Sequence, residues 1–127
     1  MANVKLNFVH VCEQVLISEG KASIIGIFDE IKTDGFPAVH PKFSIISSIS
    51  GKTGIYTQII EILTPSGSKL AMVSGQSKIE KDGGKNNFVA NFINFVFPEE
   101  GKYRITIKIG DEILNESDDA NILVGKN

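Results

Sequence analysis

Phe97-Pro98-Glu99-Glu100-Gly101-Lys102-Tyr103-Arg104-Ile105-Thr106-Ile107-Lys108-Ile109-Gly110-Asp111 is the stretch on which the fold turns. Tyr103, Ile105, Ile107 and Ile109 alternate with Arg104, Thr106 and Lys108. A period of two puts one set on a buried face and the other in water, which is the mark of a half-buried strand. Pro98 and Gly101 favour a turn before it, and Gly110-Asp111 turns the chain into a further strand, a hairpin.

Working outward, comparable turn sites punctuate the chain at short intervals. They are Ser18-Glu19-Gly20, Asp34-Gly35-Phe36-Pro37, Ser50-Gly51-Lys52-Thr53-Gly54, Pro65-Ser66-Gly67 and Lys81-Asp82-Gly83-Gly84. Short strands between regular turns predict a sandwich or barrel. The spacing predicts eight strands, roughly 4–16, 22–33, 42–50, 55–64, 69–79, 87–97, 102–109 and 112–124. Composition agrees: 19 Ile and 9 Val stand against 6 Leu and 6 Ala. β-Branched side chains suit a pleated surface, whereas Leu and Ala are the better helix formers. The expectation is a single domain over 1–127, an all-β antiparallel sandwich of about eight strands. Its length of 127 residues is enough for one self-standing core.

Two segments need more than alternation. Val4, Leu6 and Phe8 share one phase, while Val9, Val11 and Val15 take the other. A β-bulge near Phe8-Val9 accounts for the flip. A helical stripe through Phe8, Val11, Cys12, Val15 and Leu16 also fits, but it lasts about two turns and has no N-cap, so the bulged strand is preferred. The stretch 87–97 carries Phe88, Phe92, Phe95 and Phe97 with apolar residues on both faces. It is expected at a sheet centre or under an interface, as is Ile24 to Phe28. Gly26, inside a β-branched run, predicts a bulge or a close approach, with an aromatic ring over it.

The bulk numbers exclude several partners. Net charge is −2, and Arg104 is the only arginine beside 12 lysines. Nucleic-acid binding calls for a basic stripe with arginine forks, and anionic membranes for a polybasic patch; neither is present. No apolar run approaches the ~20 residues that span a bilayer. The N-terminal stretch has no basic segment followed by an apolar core, so no signal peptide is evident. Cys12 is the single cysteine and cannot form an internal disulfide, which points to the cytoplasm.

The chemistry-bearing residues do not assemble into a familiar site. Gly51-Lys52-Thr53 resembles the end of a phosphate-binding loop, but Ile46 occupies the position of its first glycine. His10, His40 and Cys12 fall short of a zinc set, which needs three or four ligands at paired spacing. A Cys12 nucleophile with His10 or His40 as base would need a lowered thiol pKa and an oxyanion pocket. Adjacent carboxylates such as Asp29/Glu30 point to opposite strand faces. Glu116 to Asn121 is rich in oxygen ligands but does not match a calcium loop. Asn115-Glu116-Ser117 matches a glycosylation triplet, which has no use in a reducing cytoplasm. No metal and no cofactor is expected. Phe36-Pro37-Ala38-Val39-His40-Pro41 is a stiff loop with an aromatic, suited either to crossing between sheets or to making a contact.

Taken together, Ser18-Glu19-Gly20-Lys21, Ile24 to Asp29, Phe36-Pro37, His40-Pro41-Lys42-Phe43, Pro65-Ser66-Gly67 and Phe97 to Tyr103 resemble a family of small bacterial single-domain proteins classed as a domain of unknown function. The likeness runs from about Leu6 to Leu123. It implies an immunoglobulin-like β-sandwich and no catalytic residues. Cys12-Glu13 falls where that family tends to show a cysteine before an acid.

The expected function is a non-catalytic protein-interaction or self-assembly module, with a symmetric homodimer as one way to bury an apolar face. Phe36, His40, Phe92 and Phe95 are the candidate contact surface, and His10, Cys12 and Asp29 are the residues to check. The alternatives are a small-ligand or carbohydrate-binding module, which the absence of Trp weakens, and an enzyme using Cys12.

Overall fold

The computed structural model describes residues 3–115 and 120–127, all of it strand, turn and loop. Ten strands follow in order: β1 (Val4–Ser18), β2 (Lys21–Ile27), β3 (Glu30–Thr33), β4 (Ala38–Gly51), β5 (Gly54–Leu63), β6 (Lys69–Ile79), β7 (Gly84–Phe97), β8 (Gly101–Ile109), β9 (Glu112–Ile113) and β10 (Asn121–Lys126). Glu116, Ser117, Asp118 and Asp119, weighed above for calcium, lie outside the described residues.

The strands form two packed sheets. One has the order β2-β1-β4-β7, and the other β3-β10-β8-β5-β6 with β9 beside β8. Non-consecutive neighbours such as β4/β7 and β5/β8 give a Greek-key connection pattern. Every pairing is antiparallel except β3 with β10, which is parallel. At the crossing from β7 to β8, the Tyr103 hydroxyl turns back on Glu99, donating to its carbonyl and accepting its amide at 3.0 Å. A tyrosine at that corner, anchored to backbone a few residues upstream, is a hallmark of the immunoglobulin-like sandwich. The fold is therefore an immunoglobulin-like β-sandwich.

The expected alternation of β8 is real: Tyr103, Ile105 and Ile107 are buried with Phe43, Ile45 and Ile62 between the sheets. Each such side chain stabilises the fold by roughly 1.5–3 kcal/mol. The phase flip in β1 is a register shift between Leu6 and Phe8, so the bulged strand is correct and the helix is not. Gln58 crosses the interior, its amide donating to Ser47 on the opposite sheet and its carbonyl accepting from Ser77 at 3.0 Å.

Three expectations are corrected. The strand expected over 22–33 is two strands, β2 and β3, in different sheets, because the chain changes layer at Phe28-Asp29. The last strand, expected over 112–124, is β9 and β10. The stretch 87–97 is not central: β7 is an edge, and the central strand is β4, buried at every position from Phe43 to Ser50. Apolar residues fall on both faces of β7 because Asn94, at φ 51°, breaks the alternation opposite Pro41. Phe92, Phe95 and Phe97 then all turn inward, while Ile93 and Val96 turn out.

On the outer face of the second sheet, Glu61 is buried under two lysines. Its carboxylate meets Lys69 at 2.8 Å and Lys108 at 3.0 Å. The Lys69 hydrogen bond holds the Glu61 carboxyl below its ordinary pKa, against burial, with Lys108 helping. A lowered folded-state pKa contributes stability above the ordinary carboxylate range and loses it as pH falls through the folded value. Glu61→Gln is expected to remove about 1–2 kcal/mol at pH 7 and less than that below pH ~4, by urea denaturation at both pH values. An equal loss at both would show that the charge contributes nothing.

Candidate functional site

The first hairpin carries the candidate site. Ser18 pairs with Lys21 across Glu19-Gly20, both at positive φ (53° and 75°). Two central residues at positive φ make the two-residue turn whose twist matches that of the strands. β1 serves two partners in succession. From Val4 to Cys12 it pairs with β4, and from Cys12 to Ser18 with β2. Cys12 is the row where both meet, opposite Ile27 and Ser44. Beyond it, the hairpin stands off from β4 as an arm.

The arm is apolar and exposed. Leu16, Ile17, Ile25 and Ile27 are 47%, 61%, 44% and 59% exposed. Among the described residues β2 pairs only with β1, so one of its backbone edges is open. Gly26, at φ 69°, allows the arm its shape. A side chain there would come within 2.8 Å of the Glu13 side chain, so an acid lies over it rather than the expected ring.

Where β1 leaves β4, a groove of about 610 Å³ opens between the arm, β3 and the first part of β4. Phe28, Ile25 and Ile31 give it apolar walls, and Glu13, Glu30, Lys32 and Lys42 a charged rim. His40 lies in it, with its ring 5.8 Å from both Phe28 and Phe43. Glu30 and Lys32 face each other at 3.8 Å.

The residues singled out from the sequence are spread over the molecule. Of the four candidate surface residues, His40 lines the groove, and Phe36 is half-buried against the core. Phe92 is only 8% exposed and stacks on Phe43 at 4.9 Å; Phe95 packs edge-on to both at 5.4–5.5 Å. These two rings belong to the core, and the outward residues of β7 are Ile93 and Val96. His10 stacks on Phe8 at 5.0 Å. Asp29 is exposed at the sheet crossing, its backbone carbonyl accepting the Leu123 amide at 2.8 Å.

Cys12 is fully buried, its thiol 3.7 Å from the Ser44 carbonyl. Burial pushes the thiol pKa up, outweighing a backbone hydrogen bond from Gln14. That keeps it protonated, the opposite of what a nucleophile needs. Among the described residues no three His, Cys, Asp or Glu groups are placed to hold a metal ion. Among the described residues no helix is long and apolar enough to cross a membrane.

The sequence reading missed Glu13, Gln14, Lys32 and Lys42 as groove residues. The signal for the arm was present in the apolar residues on both faces around Glu19-Gly20.

A family model described only as a family of unknown function matches residues 7–118. No curated protein matches the sequence. Among solved structures, an immunoglobulin-like protein from Pseudomonas aeruginosa is 20% identical, with 97% of each chain covered and a TM-score of 0.49.

Proposed function

The chain belongs to the family of unknown function DUF6941, and we propose that it is a non-catalytic binding module that offers the β1–β2 arm to another protein chain. The observation that carries this reading is the pairing of an open β2 edge with exposed isoleucines on the same hairpin. An unpaired edge presents free N–H and C=O groups, and soluble proteins usually blunt such edges with charge or proline. Here the edge residues from Ala22 to Ile27 carry neither. An incoming strand would gain main-chain hydrogen bonds, with side-chain contacts setting specificity. The buried thiol supports a protein kept in a reducing compartment, the cytoplasm.

A benzophenone amino acid at Ile25, tested in producing cells, is expected to give a discrete cross-linked adduct. The same probe at Ile113, exposed on β9, is expected to give none. Changing Ile27 to Lys should abolish the adduct while shifting stability by no more than about 0.5 kcal/mol, as for an ordinary surface change. Equal labelling at both positions, or none at Ile25, would overturn the reading.

A further inference from the structure

We propose that the outer face of the first sheet binds the phosphate group of a small phosphomonoester, held between Lys5 and Lys85 over Ser50. The site lies at the opposite end of β1 from the arm and does not depend on it.

Strand register builds the site. Lys5 pairs with Ser50, and Ser50 with Lys85, so β1, β4 and β7 each give one residue to a row across the sheet. Residues paired in this way share a face. Their neighbours Val4 and Ile49 are buried between the sheets, so the row faces outward. Strands spaced ~4.8 Å apart set the two lysines about 10 Å apart, one on each side of the serine. Flexible four-carbon stems let both ammonium groups reach one ligand group above Ser50. The bulge in β1 adds a further side chain, because Asn7 is its extra residue. The Asn7 amide accepts from the Ser50 hydroxyl at 3.1 Å and donates to the Ser48 hydroxyl at 3.3 Å. An amide nitrogen carries two hydrogens, so one is left for a ligand oxygen. Ser50, only 7% exposed, has used its hydrogen on Asn7 and serves as a small floor that leaves room between the lysines.

These side chains line a cavity of about 590 Å³, bounded at one end by Gly51 and Gly83, whose turns are joined by the Gly83 amide donating to the Gly51 carbonyl at 2.9 Å. That volume suits a small molecule of which the phosphate is one part. Charge names the group. Among the described residues none that lines the cavity carries a carboxylate. Elsewhere lysines have acidic partners: Lys69 and Lys108 share Glu61, and Lys32 meets Glu30. Among the described residues Lys5 and Lys85 have none. A phosphomonoester carries roughly −1.5 to −2 charges near pH 7 and three acceptor oxygens, which matches two ammonium groups and one amide N–H. The Gly51-Lys52-Thr53 stretch is not the cradle. The Lys52 amide donates to the Asn3 carbonyl at 3.1 Å and the Thr53 amide to Asp82 at 2.9 Å, so those N–H groups are taken.

Glucose 6-phosphate titrated into the isotope-labelled full chain is expected to shift the amide resonances of Lys5, Asn7, Ser50 and Lys85 saturably, and to leave those of Lys69 and Lys108 in place. Lys5→Gln and Lys85→Gln should each weaken binding by about tenfold. Lys78→Gln, exposed on the other sheet, should leave it unchanged. Glucose should not bind, and glucose 6-sulfate, with one charge fewer, should bind more weakly. Inorganic phosphate should compete at the same amides with lower affinity. The proposal is overturned by the absence of a saturable shift, by equal shifts at all lysines, or by lysine variants that bind as the parent does. Inorganic phosphate binding as tightly as glucose 6-phosphate would make the free ion the ligand and overturn the phosphomonoester. Succinate binding as tightly would show two separate charge contacts in place of one phosphate between the lysines, and would overturn it too.

Discussion

Phe43→Ala is expected to lower stability by about 4 kcal/mol and the melting temperature by roughly 15 °C, measured by urea and thermal denaturation. Phe43 has no exposed surface. Its ring stacks on Phe92 at 4.9 Å and Phe97 at 6.1 Å, and meets Phe95, Phe28 and His40 at 5.5, 6.4 and 5.8 Å. Truncation therefore removes a large buried area and empties the hub of an aromatic cluster. The cluster draws on β4, β7 and the Phe28 crossing, so no single strand can close the cavity by moving. Phe43→Leu keeps most of the volume and is expected to lose about half as much. A loss under about 1 kcal/mol for alanine would mean that the rings repack freely and that the cluster does not hold the sheets together. The Phe28 and His40 rings also line the groove. The truncation should therefore loosen the groove wall as well as the core, seen as faster hydrogen exchange at His40.

What the sequence made legible was whatever is written locally. The alternation from Tyr103 to Ile109 and the turns at glycine and proline depend on a residue and its near neighbours, and the structure has them. The bulge in β1 was legible because it reverses the phase of a clear apolar pattern, Val4-Leu6 against Val9-Val11. The change of sheet at Phe28-Asp29 was not. The chain runs from Phe28 through Asp29-Glu30 to Ile31 with no glycine or proline at the crossing to mark that the second half pairs with β10. The kink at Asn94 was hidden for a related reason. An asparagine at positive φ is one of several conformations that residue adopts readily, and only its tertiary setting opposite Pro41 selects it. Phe92 and Phe95 were consequently read as surface candidates. The arm was half legible: an apolar run on both faces means either a sheet centre or an interface. Which one depends on where β4 lies, and no pattern inside Ile24 to Phe28 carries that.

Asn115 shows how a single side chain can stand in for a missing strand. Along the edge away from β5, β8 pairs with β9 at Lys108 and Ile109, and with β10 from Gly101 to Arg104. Between them the Ile107 amide and the Ile105 carbonyl face the loop after β9. The Asn115 side chain takes both, accepting from Ile107 at 2.9 Å and donating to Ile105 at 2.8 Å. It is 9% exposed, so water does not replace it readily. Asn115→Leu fills similar space and leaves both backbone groups unpaired. At roughly 1–3 kcal/mol for each, the expected cost is about 2–4 kcal/mol. Asn115→Asp separates hydrogen bonding from volume. One carboxylate oxygen still accepts from Ile107, but the other faces the Ile105 carbonyl and, ionised, repels it. Protonated, that oxygen donates as the amide did. The folded protein should therefore hold this carboxyl above its ordinary pKa. A raised folded-state pKa leaves stability intact below the unfolded value, about 3.9 for aspartate, and removes it as pH rises through the folded one. The Asn115→Asp variant should approach the parent protein's stability at pH ~3 and fall toward that of Asn115→Leu by pH 7. Equal deficits at both pH values would show that the Asn115 side chain fills space and does not bridge the gap in the ladder.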